Sequence, residues 1–124
     1  MTLQELYERI DGNYTQATSV LRMDKLIDKH IRKLPNNGVV DSLISTGKAM
    51  DATALFETAH ATKGVCSNLG LTRLSDLASK ITEEFRPGNQ RTMSDDEVSK
   101  ILNEIEVLYA KTKDGISEYE KSAQ

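Results

Sequence analysis

Ala59-His60-Ala61-Thr62-Lys63-Gly64-Val65-Cys66-Ser67-Asn68-Leu69-Gly70 is the stretch from which the rest of the chain is best read. At about 100° per residue on a helix, Lys63 lies roughly 60° to one side of His60 and Gly64 roughly 40° to the other. Leu55, Ala59, Cys66 and Leu69 gather on the far side of the same wheel and form its apolar anchor. The spacing therefore predicts a helix that buries one face and turns an imidazole, a cation and a bare patch of backbone to water. Ser67, two turns from His60, keeps that face small and polar. A neutral imidazole is a nucleophile near physiological pH, and an ammonium one turn away can pair with phosphoryl oxygens. Gly64 costs its helix about 1 kcal/mol relative to Ala, which calls for a reason; clearance for an approaching partner is one.

The helix starts well at Asp51, a good N-cap, and stops at Gly70, a C′ glycine. Leu71, Leu74, Leu77, Ala78, Ile81 and Phe85 then recur at helical spacing until Arg86-Pro87-Gly88-Asn89 breaks the pattern. Ser94-Asp95-Asp96-Glu97 is a capping box with acids in the first turn, where the helix dipole favours them. Val98, Ile101, Leu102, Ile105, Leu108, Tyr109, Ile116 and Tyr119 follow, with Gly115 a point of weakness or bending. On the N-terminal side, Thr2 and Glu5 cap a short helix to Ile10, broken by Asp11-Gly12-Asn13. Thr15 is the expected cap of a second short helix carrying Val20 and Leu21. A third runs from about Met23 and stops at Pro35-Asn36-Asn37-Gly38, and a fourth carries Val39, Val40, Leu43 and Ile44 to about Gly47. Connections this short favour antiparallel neighbours, so the expected fold is all-α, an up-and-down helical bundle, with residues 1–124 as one domain.

Bulk properties narrow the function. The 124 residues carry a net charge of −3, against the concentrated basic stripe of a nucleic-acid surface. A single cysteine, Cys66, excludes an internal disulfide and a multi-cysteine zinc site. Two histidines with scattered carboxylates cannot build the metal site of an iron-binding bundle. His30 borders the Leu26-Ile27-Ile31-Leu34 stripe as a boundary residue, and Cys66 falls on the apolar face as a small hydrophobe. No glycine-rich phosphate loop is present, so ATP-dependent kinase activity is not expected. The acidic, amphipathic Leu3–Glu8 does not read as a signal peptide, and no stretch approaches a bilayer span. A soluble cytoplasmic protein, with no membrane or nucleic-acid partner and no cofactor of its own, is the expectation.

The string from Ala59 through Gly64, continuing through Leu69-Gly70-Leu71 to Leu74, Leu77 and Ile81, resembles the signature of histidine phosphotransfer (HPt) domains. The resemblance is close from Leu55 to Phe85 and elsewhere extends to helical layout alone. It implies an antiparallel four-helix bundle with additional short N-terminal helices. It further implies a phosphorelay carrier whose His60 takes a phosphoryl group from an aspartyl phosphate on a response-regulator receiver and passes it to another. A hybrid histidine kinase is a possible source of the donor receiver, and Mg²⁺ is expected on the receiver. By the same resemblance Lys63 stands beside the phosphoryl group and Gly64 leaves room for the receiver. The facing helix of many family members offers Gln or Glu to the second imidazole nitrogen; the corresponding residue is Thr82, a shorter side chain, with Ser79 or Glu83 as substitutes. Leu6, Tyr7 and Ile10 are candidates for a docking patch or for core cover. A monomer is expected, since the acceptor face must stay free. Three rivals stand beside this reading: an HPt-like receiver-binding module without phosphotransfer, the phosphoacceptor segment of a histidine kinase, and a plain structural bundle. Ala61 stands where a kinase segment usually has an acid.

Overall fold

The computed structural model describes residues 1–122, which form seven helices and no strand. In chain order they are α1 (Leu3–Arg9), α2 (Tyr14–Leu21), α3 (Asp24–Asn37), α4 (Val39–Ala49), α5 (Ala52–Asn68), α6 (Thr72–Phe85) and α7 (Asp95–Ser122). Helix α5 packs on α4 and α6, and α7 packs on the same two, closing a four-helix ring. Helices α1, α2 and α3 dress the outside of that ring against α5 and α7.

The periodic positions are the buried ones. Leu55, Ala59 and Cys66 of α5, Ala78 and Ile81 of α6, and Val98, Ile105 and Ile116 of α7 have no exposed surface. Burying each large aliphatic side chain contributes about 1.5–3 kcal/mol. The Asp51 carboxylate accepts the Ala54 amide at 3.1 Å and fixes the start of α5. At its end Gly70 adopts φ +70°, and a methyl group built there would stand 2.2 Å from the Asn13 carbonyl oxygen. Only glycine meets both conditions. The same turn is gripped from the N-terminal segment: the Tyr7 hydroxyl donates to the Leu69 carbonyl at 2.6 Å, and the Asn13 amide to the Gly70 carbonyl at 2.7 Å.

Two expectations are corrected. Helix α3 does not stop at Leu34 but runs through Pro35 to Asn37. Buried Ile27, Ile31 and Leu34 hold its inner face, the proline removes one amide near the end, and the stop comes at Gly38 with φ +82°. Asn13, not Thr15, caps α2, its side chain accepting the Gln16 amide at 2.9 Å. Gly115 lies within a continuous α7, and a methyl group there would meet Ile10 Cγ2 at 2.3 Å, so its missing side chain seats α1. Of the two roles offered for Leu6, Tyr7 and Ile10, the structure shows core cover, all three being buried on the inner side of α1 and its C-cap and none forming a docking patch.

The α6–α7 connection is organised by one acid. Glu84, 4% exposed at its side chain, accepts the amides of Thr92 and Met93 at 2.8 and 2.7 Å and the Thr92 hydroxyl at 3.0 Å. The Met93 amide chiefly, with burial opposing and Thr92 and Arg91 assisting, holds its carboxyl below the ordinary 4.5. A depressed carboxyl stabilises the fold fully above its ordinary value, and that contribution is lost as pH falls through the folded-state value. Glu84→Ala is expected to lower unfolding stability by about 2 kcal/mol at pH 7 and to weaken the acid dependence of the melting temperature below pH 4.5. Parallel pH dependences for the two proteins would refute the assignment.

Candidate functional site

Helix α5 is fastened on three sides and open on the fourth. Leu55, Ala59 and Cys66 fill the ring interior, where burial pushes the Cys66 thiol up to about 12 and keeps it an unreactive hydrophobe. Thr62, fully buried, donates its hydroxyl to the Thr58 carbonyl at 2.8 Å and lies 3.3 Å from the Val39 carbonyl at the start of α4. On the other flank the Ser75 hydroxyl of α6 donates to the Lys63 carbonyl at 3.3 Å. The 60–64 turn is thus tied to α4 by the Thr62 hydroxyl and to α6 by the Lys63 carbonyl, the kind of rigid support a reacting side chain needs.

On the open side His60 is exposed, Lys63 and Ser67 are half-buried, and Gly64 is exposed. Among the described residues no hydrogen bond reaches either His60 ring nitrogen, and Lys63 has no carboxylate within 4.0 Å. A methyl group built on Gly64 meets nothing within 4 Å. The glycine is therefore not required by the chain's own packing; the space it leaves opens outward.

Thr82 does not take the expected place beside the imidazole. It is fully buried, and its hydroxyl donates to the Ala78 carbonyl within α6 at 2.8 Å. The acid next to it, Glu83, is exposed near His60 and Lys63: Arg86 hydrogen bonds chiefly hold its carboxyl low, slight desolvation opposes, and Arg86, Lys63 and His60 nearby add to the lowering. Two residues that the sequence reading did not place at the site complete the surroundings. Phe56, one turn before His60, stacks on the imidazole with centroids 5.8 Å apart and planes 16° apart. Arg86 places its guanidinium 5.4 Å from the Phe56 ring centroid and forks onto Glu83 at 3.1 and 2.8 Å. The i, i+4 relation of Phe56 to His60 was a readable signal; Arg86 was hidden in a segment that reads as a helix breaker.

Other groups lie apart from this face. His30 is exposed at the edge of a cleft of about 210 Å³ with Leu21, Lys33, Leu34 and Val65, as its boundary position predicts. Among the described residues no set of three or more His, Cys, Asp or Glu side chains is placed to hold a metal ion. Nor is any helix there long and apolar enough to cross a membrane.

The structure is thus a helical bundle that presents an exposed histidine, a half-buried cation and an outward-clearing glycine on one helix face. The family model of the Hpt domain matches residues 3–111, and the chain belongs to that family. Neither the comparison with curated proteins nor that with solved structures returned a significant match. The match covers six complete helices and more than half of α7, where the Leu55–Phe85 resemblance covered two.

Proposed function

We propose that this chain acts as a single-domain phosphorelay intermediate over residues 1–124, taking a phosphoryl group onto His60 from a receiver aspartyl phosphate and returning it to another receiver. The observation that carries this reading is the open face of α5, where an exposed imidazole stands beside Lys63, unpaired among the described residues, and an outward clearing at Gly64. In the forward step a lone pair of one imidazole nitrogen, taken as Nε2, forms an N–P bond in line. The P–O bond to the aspartyl carboxylate breaks, and its electron pair leaves on that carboxylate. Lys63 pairs with the transferred phosphoryl oxygens. Positioning by the bundle, together with charge supplied by the receiver and its Mg²⁺, accounts for a site so sparse in polar groups. The carrier works as a monomer in the cytoplasm, forms transient complexes with receivers, and hydrolyses no ATP.

The direct test is to mix the protein with receivers of its own cell, each carrying labelled aspartyl phosphate with Mg²⁺, and follow the label. Transfer to this chain within seconds to minutes supports the proposal; failure with every phosphorylated receiver overturns it. Lys63→Ala is expected to slow transfer about tenfold or to shorten the phosphoprotein lifetime by a similar factor, one charge-assisted contact being lost. Time courses of labelling and of dephosphorylation check both, and no change in either removes Lys63 from the site.

A further inference from the structure

From the stack on α5 we infer that Phe56 is the positioning residue of His60, holding the imidazole in one orientation, with the Glu83–Arg86 pair seating the phenyl ring from α6 and the residue after it. This inference rests on the phosphotransfer reading for its kinetic consequence, though the stack itself can be observed without it.

Three observations lead here. First, no hydrogen bond holds either His60 nitrogen among the described residues, and Thr82 is turned into the bundle. An exposed imidazole so placed is free about both side-chain torsions unless something else restrains it. Second, Phe56 lies one turn away at 5.8 Å and 16°, a stacked geometry that favours one ring orientation through ring faces and occupies neither nitrogen with a hydrogen bond. Third, Phe56 is itself restrained. Its ring is half-buried against the bundle core, and the Arg86 guanidinium lies over it at 5.4 Å. Arg86 is held in turn by the two contacts to Glu83. The arrangement does by aromatic contact what a polar partner on the facing helix would do by hydrogen bonding. It also leaves Lys63 free of Glu83, whose oxygens are occupied by Arg86.

Orientation matters because transfer requires the nitrogen lone pair, phosphorus and leaving oxygen to lie in line, and misplacement of about 1 Å costs up to roughly 100-fold. An imidazole released from its stack would spend only part of its time correctly aimed.

The test pairs a structural and a kinetic readout on the full chain. Proton NMR of the unphosphorylated protein should show the His60 ring protons displaced by the Phe56 ring current, and Phe56→Leu should abolish the displacement. With a receiver carrying labelled aspartyl phosphate at saturating concentration, Phe56→Leu should slow transfer about tenfold while receiver affinity changes less than twofold. Phe56→Tyr, which restores the stack, should return both readouts to normal. Undisplaced His60 protons in the parent protein would overturn the inference whatever the variants do, including a Leu variant that fails to fold. Equal transfer rates for the parent and Phe56→Leu would overturn it as well. If instead no phosphorylated receiver labels the parent protein, the carrier reading and this kinetic role fall together, and a ring-current shift would then mark the stack as structural only.

Discussion

Replacing His60 by Gln is expected to reduce label acquired from a phosphorylated receiver to the assay background. The substitution keeps a polar side chain of similar size but removes the imidazole proposed as the acceptor on the open face of α5. The fold should not notice: His60 is exposed, no hydrogen bond depends on it among the described residues, and such surface changes stay within about 0.5 kcal/mol. Circular dichroism should therefore superpose on that of the parent protein while label is lost. Label persisting on the Gln variant would place the acceptor elsewhere. A parent protein that binds phosphorylated receiver tightly yet takes no label would identify a binding module that transfers nothing.

Gly64→Leu should separate stability from function in opposite directions. The glycine lowers helix stability by about 1 kcal/mol, and nothing lies within 4 Å of a Cβ built there. The variant is thus expected to melt at a higher temperature. A side chain filling that outward space stands where a receiver must approach, and displacement of about 1 Å at the reacting atoms costs up to roughly 100-fold in rate. Transfer measured against receiver concentration should fall by about that factor, chiefly through weaker docking. Transfer that survives unchanged would end the clearance account, and a lower melting temperature would show that the glycine serves the fold instead.

The sequence made the α5–α6 hairpin legible because each signal there is local. Asp51 caps, Gly70 stops, and the apolar wheel between them matches the residues that lost their exposure on folding. The relation of His60, Lys63 and Gly64 was readable for the same reason, being fixed by one helix. What was missed depended on distant parts of the chain. Pro35 reads as a stop, but burial of Ile27, Ile31 and Leu34 carries α3 two residues beyond it. The stripe of Leu6, Tyr7 and Ile10 is evident, yet periodicity does not say whether such a stripe meets a core or a partner. Thr82 sits at the family position expected to face the imidazole, while its burial comes from the packing of four helices. Arg86 reaches Phe56 across thirty residues of sequence, a meeting no local pattern encodes.

The grip of Tyr7 and Asn13 on the Leu69–Gly70 turn has a bearing on how the molecule assembles. A ribosome delivers α1 and α2 first, yet the carbonyls they latch onto are made some sixty residues later. Alone, a seven-residue helix such as α1 is too short to persist in water. The latch of Tyr7 and Asn13 can therefore close only after the hairpin has been made, and it then locks a turn already formed.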